Sequence, residues 1–329
     1  MNRRKYYIMV TEGVTDCSLI EAVLEKYLGY NPYQNVRELP SLFEAMIGIY
    51  PMRSGELKRQ DSPTFYYKDS VELAVKQANG YSNIPQKISS LVEIIDKFEL
   101  YDSFGGFLIF CDTDTKSKEE IKEIFKRKFE ENEILFEDGF LNVYNHQIKC
   151  NMHLFPATGL GAIEKLLLEC SNISYNQLSH DAQEYKNKIM GNEYAGVRKE
   201  CWASDTAIQE FYADKVQFGA ISSVLKPDRP VRFTIKDKII RTKYYESYME
   251  LPEFRELHNF LINNLEDARV KSLKPRCACT GVVLWLNDPP NMRIKVGHMH
   301  HDIRIWGRIV GVRSTEQSVR HLLTPTSLE

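Results

Sequence analysis

Glu12 and Asp16 stand past the apolar run Tyr6-Tyr7-Ile8-Met9-Val10-Thr11, and Asp112 and Asp114 stand past Phe107-Leu108-Ile109-Phe110-Cys111. Neither run alternates with polar residues, which is the pattern of a strand buried on both faces of a parallel sheet. In such sheets ligands bind outside the C-terminal strand ends. Acid pairs gathered at one sheet edge repel unless something positive lies between them. A hard dication such as Mg2+ or Mn2+ takes carboxylate oxygens and keeps waters, which leaves room for a phosphate. The spacing of Asp112-Thr113-Asp114 lets both acids face one site if the chain stays extended past the strand. Taken singly, each acid also reads as plain structure: Asp16 as a helix cap, Asp112 and Asp114 as turn residues. Taken together, two buried strands that each end on an acid pair seldom arise from turns alone.

The elements that must position these acids follow from periodicity. Residues 5–11 and 105–115 are the two strands. Residues 17–28 read as a helix, with Ile20, Val23, Leu24, Tyr27 and Leu28 on one stripe and Thr15 or Asp16 capping the first turn. Residues 31–66 are rich in Pro, Tyr and Ser and read as an irregular insertion, extending to about residue 80, with one short strand and one short helix. Residues 69–79 and 84–99 read as helices, the second with a stripe of Ile88, Leu91, Val92, Ile95 and Phe98. The helix "KSKEEIKEIFKRKFEE" balances its lysines with Glu at i, i+4 and reads as a solvated face. Residues 140–155 are β-prone with a polar break at Asn145-His146, and residues 155–170 turn on Pro and Gly into an apolar helix. This order predicts an α/β fold, a mostly parallel sheet flanked by helices, followed by a mainly helical region.

Composition sets the outer limits. The chain has 329 residues, 43% hydrophobic and 27% charged, with net charge −2, an ordinary water-soluble composition with ample core material. No global basic excess announces nucleic acid, although a local patch or bound metal offsets phosphate charge equally well. No apolar run approaches a membrane span or a signal-peptide core. Seven cysteines without paired spacing over most of the chain fit reduced thiols in a cytoplasm. Residues 271–329 hold nine Lys+Arg against four Asp+Glu and four of the eight His. The expected division is therefore 1–170, the α/β part; 171–270, a mainly helical region; and 271–329, a basic tail that is β-rich or foreign to the domain. Within the tail, Cys277, Cys279, His298, His300 and His301 are zinc-ligand types, but their spacing is not that of a recognised zinc module.

"IMVTEGVTD" and "FLIFCDTDT" resemble the two signature motifs of TOPRIM domains, which occur in topoisomerases, primases, OLD-family nucleases and stand-alone anti-phage effectors. The resemblance covers about residues 4–170 and implies that 1–170 is a metal-binding catalytic domain whose site the helical region 171–270 completes. It implies that Glu12 is the catalytic carboxylate, that Asp112 and Asp114 hold Mg2+ (or Mn2+), that Asp16 supports the metal site and that Gly13 permits a tight turn. "LFPATGLGAIEKLL" resembles the Gly-x-x-Glu segment of the OLD-like branch, with Glu164 as a further metal ligand; an exposed first-turn acid is the plainer reading. "IKDKIIRTKYYESY" resembles that branch's late lysine segment, which nominates Lys243, with Lys238 as the other candidate, to stabilise the transition-state phosphate; each also reads as a solvated lysine. Two departures stand out. Glu12 and Asp112 lie 100 residues apart, and Cys111 stands where a small hydroxyl residue is common.

The expected activity is metal-dependent cleavage of DNA or RNA, tRNA included, since two metals can activate water, stabilise the phosphorus centre and assist the leaving oxygen. The chain is short for a type IA topoisomerase, and Glu12 lies too early for a bacterial primase. The short form resembles effectors of the PARIS type, which implies an ABC-type ATPase partner; self-association stays open. The rival expectation is a non-catalytic TOPRIM-like binding or assembly module partnering such an ATPase.

Overall fold

The computed structural model describes residues 4–47, 63–202 and 206–265, within one compact unit spanning Met1–Asp267. The readings made for residues 271–329, including the zinc-ligand types, lie outside the described residues.

Among the described residues eight strands form one sheet: β1 (Lys5–Thr11), β2 (Asn31–Pro32), β3 (Thr64–Lys68), β4 (Val71–Gln77), β5 (Phe104–Asp112), β6 (Leu135–Glu137), β7 (Phe140–Val143) and β8 (His146–Phe155). Their order is β2-β3-β4-β1-β5-β8-β7-β6. The inner four, β4, β1, β5 and β8, are mutually parallel, and every outer pairing is antiparallel. The fold is thus α/β, with a parallel centre and antiparallel flanks. The polar break read at Asn145-His146 lies one residue earlier, as a two-residue hairpin turn before His146 opens β8: Tyr144 and Asn145 both take positive φ, 47° and 64°, as a turn matching strand twist requires.

The helices are α1 (Val14–Lys26), α2 (Ser41–Ile47), α3 (Ile84–Lys97), α4 (Lys118–Glu130), α5 (Glu164–Ser174), α6 (Asn176–Met190), α7 (Ala195–Cys201), α8 (Thr206–Leu225), α9 (Val231–Thr234), α10 (Tyr245–Glu250) and α11 (Pro252–Leu265). They cover both sheet faces because inner-strand side chains alternate between two apolar cores. Ile8 and Val10, with Phe107, Ile109 and Cys111, meet Phe43, Ile88, Leu91, Ile121 and Phe125 from α2, α3 and α4. Met9, with Leu108 and Phe110, meets Leu19, Val23, Leu166, Phe254 and Leu257 from α1, α5 and α11. Each such fully buried side chain contributes about 1.5–3 kcal/mol. Both faces must be covered, which is why these strands show no alternation in sequence.

The helix expected over residues 69–79 is instead strand β4. Glu72, Leu73, Ala74, Lys76 and Gln77 favour helix locally, but the segment pairs with β1 from Lys5↔Val71 to Thr11↔Gln77 and with β3 on its other edge. Leu73 and Val75 enter one core and Ala74 the other. Pairing on two edges and burial on two faces outweigh propensity. The insertion read over 31–80 is correspondingly smaller, since β3 and β4 belong to the sheet.

The chain leaves β1 for β4 on one side, then crosses by α3 to β5 on the other. Strand order therefore reverses about β1. In open α/β sheets such a switch point leaves a crevice at the strand C-termini, and here it falls between the ends of β1 and β5.

Candidate functional site

Glu12 follows the last residue of β1 and Asp112 is the last residue of β5, so adjacent parallel pairing puts them side by side. The Asp112 N–H donates to Glu12 Oε2 at 3.2 Å. The Glu12 carbonyl accepts from Gly80 N at 2.9 Å, which ties the segment after β4 to the same edge. Burial raises the pKa of Glu12; the Asp112 N–H opposes this, the Asp114 charge adds to it, and Lys215 and the Tyr81 N–H oppose it.

Asp16 serves two purposes with its two oxygens. Its Oδ2 accepts the Gly13 N–H at 3.0 Å, the reciprocal bond that an acid in the first helical turn gives to the residue before the helix. Its Oδ1 is buried without a hydrogen-bond partner. The residue is 4% exposed. Burial first, then the Glu12 charge with a further contribution from Glu164, pushes its pKa up to about 8. Asp16 thus caps α1 through Oδ2, and the cap leaves its second oxygen without a partner.

Gly13 differs from expectation. Its φ of −140° and ψ of −175° are extended backbone open to any residue, and an added Cβ would meet only Asp16 Oδ2 at 3.5 Å. The turn is built by the extended residue preceding α1, not by a conformation reserved for glycine.

Asp112 Oδ1 accepts the Ile163 N–H at 2.9 Å, directly before α5. Burial, then the charges of Asp16, Glu164 and Glu12, push its pKa well above the ordinary carboxylate value. The chain past Asp112 does not stay extended. Thr113 N donates to Phe155 O at 2.7 Å and Asp114 N to Gly161 O at 2.7 Å. The Thr113 hydroxyl donates to Gly161 O at 3.2 Å and accepts from Gly161 N at 3.0 Å. Asp114 takes φ 49°, a left-handed conformation that Asp tolerates. Asp114 is thus turned away from the strand line, although its charge still acts on Glu12 and Lys215.

Glu164 opens α5 and is 7% exposed, not the exposed first-turn acid of the plainer reading. Its Oε1 lies 3.5 Å from Lys215 Nζ, and its Oε2 is buried without a hydrogen-bond partner. Lys215, on α8, is half-exposed. Burial alone would lower its pKa, but Glu164, Asp112 and Asp114 together raise it.

The sequence reading did not single out Lys215, which the fold places beside these acids. Lys243 stands elsewhere: its Nζ lies 4.5 Å from the Tyr244 ring centroid, and the next residue, Tyr245, packs on Tyr27 just past the C-terminal end of α1. The Lys238 carbonyl accepts from the Tyr175 hydroxyl just past the C-terminal end of α5. Asp16 and Glu164 lie at the opposite, N-terminal ends of those helices. At 1.5 Å per residue this is a separation of about 15–20 Å.

A hard dication is a group whose oxygen preference matches such side chains. Among the described residues, no three Asp, Glu, His or Cys side chains stand at the spacing of a formed ligand shell. The donor chemistry nevertheless fits: all-oxygen carboxylates, two orphaned buried oxygens in Asp16 Oδ1 and Glu164 Oε2, and mutual repulsion that either protonation or a bound cation relieves.

No known protein-family model matches the chain. No curated protein matches it. Among solved structures, the chain is similar to a hypothetical protein from Pyrococcus horikoshii OT3, at 17% identity and TM-score 0.39 over 78% of this chain and 99% of that one. No helix among the described residues is long and apolar enough to cross a membrane.

Proposed function

We propose that this chain is a Mg2+- or Mn2+-dependent nuclease of the TOPRIM type, cleaving phosphodiester bonds in RNA or DNA. One observation carries the reading. Glu12 and Asp16 from the β1–α1 junction, Asp112 from the end of β5 and Glu164 from the start of α5 come together at the crevice, where burial and the charges of their neighbours raise the proton affinity of Asp16 and Asp112. A purely structural cluster would be destabilising and would be expected to carry its own neutralising partners; among the described residues the cation paired with it, Lys215, is half-exposed.

In this reading Glu12, Asp16, Asp112 and Glu164 hold the metal, with Asp114 at the rim. The metal supplies Lewis-acid stabilisation of phosphoryl oxygens and a water of lowered pKa. Glu12, whose carboxylate lies at the mouth of the crevice against the Asp112 N–H, would accept the proton from the attacking water. Asp112, fixed through Ile163 N–H, and Asp16, fixed through Gly13 N–H, keep their carboxylates aimed at the crevice. Lys215, held cationic by three acids, pairs with a phosphate oxygen and offsets the charge that builds there. Lys243 is too distant for that task.

The wider setting proposed is a cytoplasmic anti-phage effector governed by an ABC-type ATPase, which rests on the motif resemblance alone. The test is to incubate the purified chain with labelled tRNA, plasmid and single-stranded DNA, each with Mg2+, Mn2+ or EDTA. Cleavage of at least one substrate, abolished by EDTA, is expected. Cleavage undiminished in EDTA would rule the mechanism out. No cleavage of any substrate would favour the non-catalytic module.

A further inference from the structure

We infer that Glu253, in the first turn of α11, is a positioning residue for the metal site: with Lys118 it grips Ala157 and so holds the loop 156–163 that sets Glu164 and the Ile163 N–H against Asp112. The inference rests on the metal-site reading and extends it to how the carboxylates are kept in place. Glu253 touches neither metal nor substrate and acts only through Ala157.

The loop joins β8 to α5. Its later part is fastened to the acid-bearing segment past β5. Gly161 exchanges bonds with the Thr113 hydroxyl and accepts from Asp114 N, and Ile163 N donates to Asp112 Oδ1. Its earlier part turns on Gly159 and Gly161, at φ 82° and 149°, around a Leu160 that is 52% exposed. Glycine lets the backbone take many other paths, and an exposed side chain does little to choose among them. The path is therefore set by contacts from outside the loop.

Those contacts meet at Ala157. Its N–H is shared between Glu253 Oε1 and Oε2, at 2.7 and 2.6 Å, a three-centre bond. Its carbonyl accepts from Lys118 Nζ, on the first residue of α4. One residue is thus held on its two sides by opposite charges, and charge-assisted bonds are the stronger kind. A first-turn acid ordinarily serves its own helix from solvent. Glu253 is instead 13% exposed and directs both oxygens to a residue 96 positions earlier. Burial raises its pKa, and the Ala157 N–H is the main contact that opposes this. Any neutral acceptor would satisfy the buried N–H; a desolvated carboxylate costs more and gives the firmer hold. The helix behind it is fixed, since Phe254, Leu257 and Leu261 are buried in the core beside α1 and α5. A site carried on rigid elements keeps its geometry better than one left to a loop.

The test titrates Mn2+ alone into the full chain and follows free Mn2+ by electron paramagnetic resonance, with melting temperatures measured beside it. Asp112→Asn identifies the crevice ion as the one that it loses. Glu253→Ala should weaken that ion's binding at least five-fold and Lys118→Met at least two-fold. Glu253→Gln, which keeps an acceptor for Ala157 N–H, should stay within two-fold of wild type. Leu261→Val loosens the same helix in the core without touching Ala157 and should also stay within two-fold. Unchanged affinity in Glu253→Ala, no recovery in Glu253→Gln, or an equal loss in Leu261→Val would overturn the positioning role; metal-dependent cleavage by wild type would then leave the nuclease reading standing without it. If Asp112→Asn binds as many Mn2+ ions as wild type, as tightly, the crevice holds no metal and both readings fall.

Discussion

Replacing Asp16 with Asn should make the metal-free protein more stable, not less. Asp16 is 4% exposed and makes one hydrogen bond, from Gly13 N–H to Oδ2. The Asn carbonyl oxygen can keep that bond. The amide nitrogen then replaces the orphaned Oδ1 and donates toward carboxylates that Asp16 repels. Moving a carboxyl from 3.8 to about 8 corresponds to about 5–6 kcal/mol at 1.36 kcal/mol per pH unit. Glu12, Asp112 and Glu164 share the repulsion, and protonation of Asp112 relieves part of it, so about half of that is recoverable. A gain of about 2–3 kcal/mol raises the melting temperature of a domain this size by about 5–10 °C. The sign with pH follows from linkage. The folded state binds a proton on Asp16 that the unfolded state does not, so wild type loses stability as pH rises from about 4 to about 8. The Asp16→Asn side chain has no such proton. The gap between variant and wild type should be small at pH 4, full above pH 8, and narrowed by Mg2+, which stabilises wild type by binding the folded state. Differential scanning calorimetry in EDTA and in Mg2+ at pH 5 and pH 8.5 measures it. A variant no more stable than wild type in EDTA at pH 8.5, or a gap identical at both pH values, would refute the reasoning.

Lys215→Ala should reduce cleavage at least ten-fold, while Lys243→Ala should stay within two-fold of wild type; the reverse ranking would restore the sequence-based nomination. Gly106→Ala should destabilise by at least about 2 kcal/mol, because Gly106 has φ 136° and an added Cβ would lie 2.6 Å from the Lys149 carbonyl oxygen; a urea midpoint equal to wild type would contradict this. His153 is buried among Phe110, Phe155 and Phe260, and burial, with Lys118 nearby, lowers its pKa to about 4. Its folded pKa lies below the unfolded one, so stability is lost as pH falls from about 6.5 to 4. His153→Phe should remove about 2–3 kcal/mol of that loss between pH 7 and pH 4.5, and parallel pH profiles of the two proteins in urea would count against it.

The acids at the ends of β1 and β5 were legible because both strands are buried on two faces, and unbroken apolar runs ending on carboxylates are visible without alignment. The convergence of Glu12 and Asp112 then needs only that the strands be parallel neighbours. β4 was hidden by its own residues: Glu72, Leu73, Ala74, Lys76 and Gln77 favour a helix until β1 and β3 take both edges. Lys215 was not legible at all, since α8 holds it beside Glu164 through packing on α5 and α6, contacts between segments far apart in the chain. The left-handed turn at Asp114 likewise depends on Gly161, 47 residues later. The two unpartnered oxygens, Asp16 Oδ1 and Glu164 Oε2, are tertiary facts that no local pattern announces.

The most direct measurement is the Mg2+-dependent cleavage rate of Glu12→Ala and Asp112→Ala beside wild type, on the substrate that wild type cleaves best, with folding checked by calorimetry. The account predicts that both folded variants lose at least a hundred-fold in rate. Cleavage at the wild-type rate by either one would contradict it.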